Sequence, residues 1–536
     1  MNMPSSTQAP TRRSFAAAVL GMLMLFLSGC ASLPPPKPSV PTYARTDVAG
    51  TTLARIAAAN TPADVGEENK SGLRMLPEGP FSLNARITLA RRAEKTLDVQ
   101  YYQLQSDGVG LRLLRELRDA AKRGVRVRLL VDDFYTAGQD ELFASLAAFD
   151  HIEVRLFNPL PARKGTFATR FLASAHEFSR INHRMHNKLF IADNAFSVAG
   201  GRNMGDEYFM QSAKENFVDA DVLANGEVVQ DQSAAFDLYW NSEQVYPIEQ
   251  VVRPSSPPLP REQAQARFNE LVADVGPDVA TREHDVFGRS TVERQLNEGR
   301  LDQIWAKATV FVDPPTKIAA GKTSDERFAG SVTSRALQII STAQHRLLMI
   351  SPYIVPGKRG MPYFRAGAAK GVKTTIYTNS LAATDEPLVY LAYAQYRDDL
   401  LRLGVNIYEI SPKLGNRTHL GEFGTSTARL HAKLLVIDDD RFFIGSMNLD
   451  SRSARLNTEI GMLITSPEVV SEFRRLIPTG GFESAYHLRL SKLGTVEWVE
   501  HDDAGKEIVH YDEPETSWFA KLTSWVSSLF VDEDDL

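Results

Sequence analysis

The chain has 536 residues, 43% of them hydrophobic, enough to bury two or more cores at the usual scale of about 100–200 residues per domain, so disorder and collagen-like repetition are excluded. Its 60 Lys plus Arg against 66 Asp plus Glu leave a formal net charge of -6, with no overall basic field to draw in nucleic acid. The single cysteine, Cys30, excludes an intramolecular disulfide framework and any CxxC-type zinc or redox site.

Residues 1–29 carry two charged side chains, Arg12 and Arg13, and then an apolar run from Phe15 to Leu27 that ends in Leu27-Ser28-Gly29-Cys30. A short basic region, a hydrophobic run below the ~20 residues a bilayer span needs, and a small-residue cleavage site predict a signal peptide. The last four residues resemble a bacterial lipobox, which implies that Cys30 receives lipid and becomes the mature N-terminus. With Ala31 after the cysteine, the resemblance implies an anchor on the periplasmic side of a bacterial envelope, at the outer rather than the inner membrane. The competing reading, an uncleaved anchor with an incidental cysteine, is disfavoured by the short run. Thr11-Arg12-Arg13-Ser14-Phe15 also resembles the start of a twin-arginine signal, so the export route stays open. Residues 30–75 begin with a proline stretch, Leu33 to Pro38, that favours extended polyproline geometry and holds the folded part off a membrane surface.

Apolar side chains alternate at Leu97, Val99 and Tyr101, predicting a strand; Leu113, Leu114, Leu117, Ala120 and Ala121 recur at helical spacing, and Gly124 stops the helix. Val125 to Leu129 alternates again, so strand, helix and strand predict a parallel pair in an α/β layer. The unit recurs: Leu347 to Ile350, a helix ending in Ala368-Ala369-Lys370-Gly371, then Val372 to Tyr377. Ala120-Ala121-Lys122-Arg123-Gly124-Val125 matches Ala368-Ala369-Lys370-Gly371-Val372 with one deletion, which points to duplication. The predicted modules are 76–250 and 321–490. Between them, 251–320 opens with linker-like Arg253 to Pro260 and a helical stretch from Phe268 to Val275. In the tail, 491–536, Trp518, Phe519, Leu522, Trp525, Val526, Leu529 and Phe530 follow helical spacing; this face can lie in a membrane surface or pack on its own domain, and the acidic run Asp532 to Asp535 opposes anionic lipid.

Each half also holds a hairpin with one spacing, HxKx4Dx6GxxN: His186, Lys188, Asp193, Gly200 and Asn203, then His431, Lys433, Asp438, Gly445 and Asn448. A single histidine in a strand is ordinarily structural. Two copies at matching places reverse that. If His and Lys lie in a strand they share a face, so each hairpin presents imidazole and ammonium together, and returning strands that end in glycine bring the asparagines to the same spot. Packed about a pseudo-two-fold axis, two imidazoles, two ammoniums and two amides converge on what a phosphodiester requires: fixed positive charge and donors around its equatorial oxygens. A zinc pair from His183 and His186 is disfavoured, because these are only two nearby ligands and cysteine is absent.

The repeated motif is the signature of the phospholipase D superfamily. From about Leu97 onward the chain resembles the C-type bacterial cardiolipin synthases at Leu97 to Tyr102, Met185 to Lys188, Gly200 to Asn203, Asn379 to Ala383 and Leu456 to Glu459. The resemblance implies an α/β fold of two similar modules, each a mixed, mostly parallel sheet flanked by helices, with the active site between them. It implies catalytic His186, Lys188, Asp193, His431, Lys433 and Asp438, with His186 as nucleophile and His431 as acid and base. Asn203, Asn448 and Ser446 are expected to bind substrate phosphate, and Asp219 and Glu459 to orient the histidines. Asp193 and Asp438 are expected on the hairpin turns, bonding their own backbone. One departure stands out: Gly201 occupies the place of the serine that the second copy keeps as Ser446.

The same resemblance implies membrane phospholipids, phosphatidylglycerol and phosphatidylethanolamine, as partners, with no nucleic acid, no metal and no cofactor. Transfer of a phosphatidyl group to a second phospholipid and its transfer to water share one phosphohistidine, so the motifs leave the acceptor open. A nuclease or a non-catalytic envelope lipoprotein fits less well, given the charge and the intact residues of both copies.

Overall fold

The computed structural model describes residues 33, 40–66, 70–252, 258–319, 321–412, 426–477, 485–501 and 505–516. The expected signal peptide, Cys30, Pro34 to Pro38, Arg253 to Pro257 and the amphipathic stretch 518–530 lie outside the described residues.

In the first half the principal elements are, in chain order, β1 (Ser71–Leu76), β2 (Thr96–Tyr101), α1 (Gly108–Lys122), β3 (Arg126–Asp132), α2 (Asp140–Leu146), β4 (Ile152–Phe157), α3 (Phe167–Ala173), α4 (Phe178–Ile181), β5 (Leu189–Ala192), β6 (Phe196–Gly200), β7 (Glu215–Val218), β8 (Asp221–Gly226), α5 (Glu227–Trp240) and β9 (Val245–Pro247), with a further helix, Gly79–Arg92, between β1 and β2. Between the halves run α6 (Arg261–Leu271) and β10 (Ile304–Val312). The second half repeats the core: β11 (Arg346–Ile350), α7 (Gly357–Ala369), β12 (Lys373–Asn379), α8 (Pro387–Arg402), β13 (Asn406–Ile410), β14 (Thr427–Leu430), β15 (Leu434–Ile437), β16 (Arg441–Gly445), α9 (Ser451–Arg455), β17 (Ile460–Thr465), β18 (Ala485–Leu490), β19 (Val496–His501) and β20 (Glu507–His510).

Helix α1 shows how the local sequence sets these elements. Asp107 caps it by accepting the Gly110 N–H, and Leu113, Leu114, Leu117, Ala120 and Ala121 are all buried on one face. Gly124 then takes φ 91°, and Gly371 takes φ 78° at the equivalent turn after α7; a side chain there would strain the step into the next strand.

Strand pairing gives β10–β1–β8–β6–β5–β2–β3–β4–β9 in one half and β10–β17–β16–β15–β11–β12–β13–β18–β19–β20 in the other. Parallel pairing in this large sheet is confined to β2–β3–β4 and β11–β12–β13, a smaller share than expected. Within this sheet only strands joined through a helix run parallel; the motif hairpins β5–β6 and β15–β16 turn tightly and must pair antiparallel.

The segment between the modules is more than a connector. Ile304 to Ala306 of β10 pair with β1, and Lys307 to Val312 pair with β17, so one strand stitches the two sheets together. The stretch around Phe268 belongs to α6, whose Phe268 packs on Phe149 with ring centroids 5.6 Å apart. Inner-face residues of both hairpins, Leu189 and Ile191 with Leu434 and Val436, fall in one buried cluster, and this shared core fixes the halves against each other.

Candidate active site

The motif residues sit just outside the regular strands. His186-Asn187-Lys188 leads into β5 and His431-Ala432-Lys433 into β15, so the expected strand placement is displaced: the ladders begin at Leu189 and Leu434. The reason is local. The Lys188 ammonium donates to the His186 carbonyl at 2.6 Å, and the Lys433 ammonium donates to the His431 carbonyl, which uses the main-chain acceptors a sheet partner would take.

Each histidine is instead tied to the other half. The His186 N–H donates to the Thr458 carbonyl and the His431 N–H to the Val218 carbonyl, both at 2.8 Å. Met185 bridges Thr458 in parallel, and β14 pairs in parallel with β7, the equivalent contact. These pairings carry the acids across: His186 Nδ1 lies 2.9 Å from the Glu459 carboxyl, and His431 Nδ1 lies 2.6 Å from the Asp219 carboxylate. Both imidazoles are nearly buried, at 6% and 7% exposure, and Lys188, Lys433, Asp219 and Glu459 are buried with them.

The two pairs differ electrically. Asp219 is held down to about 2: its bond to His431 and the charges of His431, Lys433 and Arg202 outweigh the cost of burial. Glu459 is pushed up to about 7 by burial, opposed by Lys188 and by the hydroxyls of Ser446 and Ser453, which both donate to it. His431 falls to about 4 through burial and the charge of Lys433, with Asp219 pulling the other way. Burial drives His186 well below the ordinary histidine value, and Lys188, Lys433, His431 and Arg452 push it further in that direction.

Gly201 has a steric cause. A Cβ there would lie 2.2 Å from an Asp219 carboxylate oxygen, so the shorter acid occupies the space that a serine needs. In the second half the longer Glu459 leaves room, and Ser446 bonds it. Ser446 therefore departs from its expected place on the phosphate, since its hydroxyl is spent on Glu459 and accepts the Ile460 N–H at 3.0 Å.

Asp193 and Asp438 do not reach the site. Both sit on the hairpin turns at positive φ, 48° and 52°. The Asp193 carboxylate accepts the N–H groups of Glu94, Lys95 and Thr96, and Asp438 those of Gln344, His345 and Arg346. They cap the starts of β2 and β11 rather than their own turns, and so clamp each hairpin to its neighbour. Their expected catalytic placement is thereby corrected to a structural one, because the turn lies at the opposite end of the hairpin from the imidazole.

Asn203 lies beside the site, where its amide donates to the Tyr208 hydroxyl at 2.9 Å, and the Asn448 side-chain oxygen is buried without a partner. Sequence reading missed the aromatic walls. Tyr102 sits edge-on to His186 at 4.9 Å, with the Lys188 ammonium 5.2 Å from its ring centre, and Tyr208 sits edge-on to His431 at 5.1 Å. Tyr102 follows β2 directly, at the end of the segment Leu97 to Tyr102, and its place beyond the strand end was the available signal. His183 faces Arg327, not His186.

A model of the "Cardiolipin synthase, PLD-like domain" family matches residues 87–240 and 336–478, the two halves described above. The chain is 38% identical to Cardiolipin synthase C of Escherichia coli (strain K12) over 481 residues, covering 89% of this chain and 98% of that protein. The chain belongs to this family. It is a phosphatidyltransferase of the phospholipase D type. More distant members include Cardiolipin synthase 2 of Staphylococcus epidermidis RP62A, 25% identical over 75% of this chain and 66% of that one. The solved phosphatidylserine synthase of Haemophilus influenzae Rd KW20 shares the fold, with a TM-score of 0.52 and 14% identity over 89% of this chain and 98% of that one. For a member of the cardiolipin synthase family, the glycine at position 201 in place of serine is thus tied to Asp219 of the same half, the acid that reaches across to His431.

Proposed function

We propose that this protein makes cardiolipin by moving a phosphatidyl group from phosphatidylglycerol or phosphatidylethanolamine to the hydroxyl of a second phospholipid through a phosphohistidine. The observation that carries the reading is the crossed pair of histidines, each held at Nδ1 by an acid of the other half, which leaves each Nε2 free to act at one phosphorus.

His186 Nε2 attacks phosphorus, and the P–O bond to the headgroup alcohol breaks as His431 donates its proton to the leaving oxygen. The acceptor hydroxyl then gives its proton back to His431, attacks phosphorus and breaks the P–N bond. Two findings support this division. His186 resists a proton more strongly than His431, as a nucleophile must, and ionised Asp219 stabilises the imidazolium that His431 becomes. A bound phosphodiester adds negative charge beside both imidazoles and both ammoniums, which favours their charged forms. Lys188, Lys433, Asn203 and Asn448 then supply charge and donors to the equatorial oxygens.

The relatives' names and the lipobox-like leader support a phospholipid substrate and a lipid anchor at Cys30 on the periplasmic side of the envelope, at the outer membrane. Among the described residues no helix is long and apolar enough to cross a membrane. The test is to incubate the full protein with labelled phosphatidylglycerol vesicles, with and without phosphatidylethanolamine, beside His186→Ala. Cardiolipin that depends on His186 supports the proposal, and phosphatidic acid as the sole product contradicts it.

A further inference from the structure

Helix α3 is built inside out for a helix facing water. Of its seven residues only Arg170 is buried, with its guanidinium 3.0 Å from the Asp133 carboxylate and donating to the Ala162 carbonyl. Phe167 is 38% exposed and Leu172 69% exposed, and Phe178 in α4 is 50% exposed. A soluble surface normally solvates the arginine and buries the rings. Here a buried ion pair pins the helix so that its apolar side chains point outward.

The rings are also continuous with the catalytic centre. Phe178 packs on Phe171 at 6.1 Å, Phe171 on Phe167 at 6.1 Å, Phe167 on Tyr135 at 5.8 Å, Tyr135 on Tyr102 at 5.4 Å, and Tyr102 on His186 at 4.9 Å. An unbroken aromatic path thus runs from the exposed α3–α4 surface to the nucleophile proposed above. Neighbouring Lys164 is exposed, giving the patch a polar edge.

We propose that the α3–α4 segment docks in the phospholipid–water interface, with Phe167, Leu172 and Phe178 entering the acyl boundary, so that a phosphatidyl group passes along Tyr135 and Tyr102 to His186 without leaving apolar surroundings. This rests on the phospholipid reading above, and it deepens that reading by naming the entrance. The occupant is a bilayer surface: the patch is continuous with a buried site whose substrate carries its phosphodiester at that surface, and aromatic rings with a polar edge favour it. Phe167, Leu172 and Phe178 are uncharged, so apolar contact supplies the attraction of this patch.

Two arms test this on the full chain with vesicles of phosphatidylglycerol and phosphatidylethanolamine. In Leu172→Trp, after subtraction of the parental spectrum, indole emission shifts to the blue on vesicle addition and is quenched by brominated lipid. In the triple variant Phe167→Ser/Leu172→Ser/Phe178→Ser, turnover of vesicle lipid falls by about tenfold or more, while turnover of short-chain phosphatidylglycerol dissolved as monomers stays at the parental rate. Unchanged emission at residue 172, or an equal fall on both substrates, overturns the proposal. If the parental protein turns over neither substrate, the catalytic reading fails and the emission arm alone decides the docking.

Discussion

The His431–Asp219 and His186–Glu459 pairs occupy equivalent places in two copies of one fold, yet they hold protons differently. Asp219 stays ionised at about 2, whereas burial lifts Glu459 to about 7 against the opposing pull of Lys188 and two hydroxyls. Burial raises both acids; at Asp219 the bond to His431 and the charges of His431, Lys433 and Arg202 outweigh it, whereas at Glu459 Lys188 and the Ser446 and Ser453 hydroxyls oppose it without overcoming it. Duplication supplied symmetric geometry, and different surroundings make the two acids electrically unequal, an asymmetry that the proposed division into nucleophile and acid uses.

The comparison can be broken at the histidines first. His186→Ala and His431→Ala are both expected to lower phosphatidyl transfer by about 10⁴-fold. With a substrate whose leaving group needs no protonation, His431→Ala still forms the covalent intermediate in a single turnover and His186→Ala does not. Equal failure of both in that assay contradicts the division of roles.

Exchanging the acids sharpens it. Asp219→Asn removes the charge that supports the His431 imidazolium, with an expected loss of about 10³-fold in kcat, whereas Glu459→Gln replaces a carboxyl that is neutral below about 7 and costs about tenfold. Steady-state kinetics on both variants at one pH reads the ratio.

Thermal unfolding against pH reads the same asymmetry. Asp219, depressed from 3.8 to about 2, contributes about 2 kcal/mol above pH 4, and this is lost as pH falls through about 2. Glu459 is raised from 4.5 to about 7, so its burial begins to cost stability as pH rises past 4.5 and reaches about 3 kcal/mol once pH has passed 7. At pH about 8, Asp219→Asn is therefore expected to lower the unfolding midpoint and Glu459→Gln to raise it. The smallest effects lie at the neighbours. Gly201→Ala overpacks against Asp219 at about 1–3 kcal/mol, and Ser446→Ala removes one bond to Glu459 at about 1 kcal/mol, both measurable by denaturant titration.

Much of this was legible in the sequence, for physical reasons. Helix α1 and strands β2 and β3 follow apolar periodicity, the repeated HxKx4Dx6GxxN spacing located both hairpins, and the family resemblance pointed to Asp219 and Glu459. Three things were not legible. Which half holds which histidine depends on the β7–β14 and Met185–Thr458 contacts, which join residues more than 200 positions apart. The Asp193 and Asp438 carboxylates reach the starts of neighbouring strands, which spacing within a hairpin does not encode. Strand β10 lies in a segment without strong alternation at its ends, because it serves two sheets in turn and faces a different partner along each part.

Trapping the covalent intermediate tests the division between the halves most directly. The protein is mixed with phosphatidylglycerol labelled in its phosphate, quenched within a turnover at alkaline pH to preserve phosphohistidine, and digested for peptide mapping. Label on the peptide containing His186, absent in His186→Ala and accumulating in His431→Ala with an activated leaving group, is the predicted result. Label on the peptide containing His431 would contradict it.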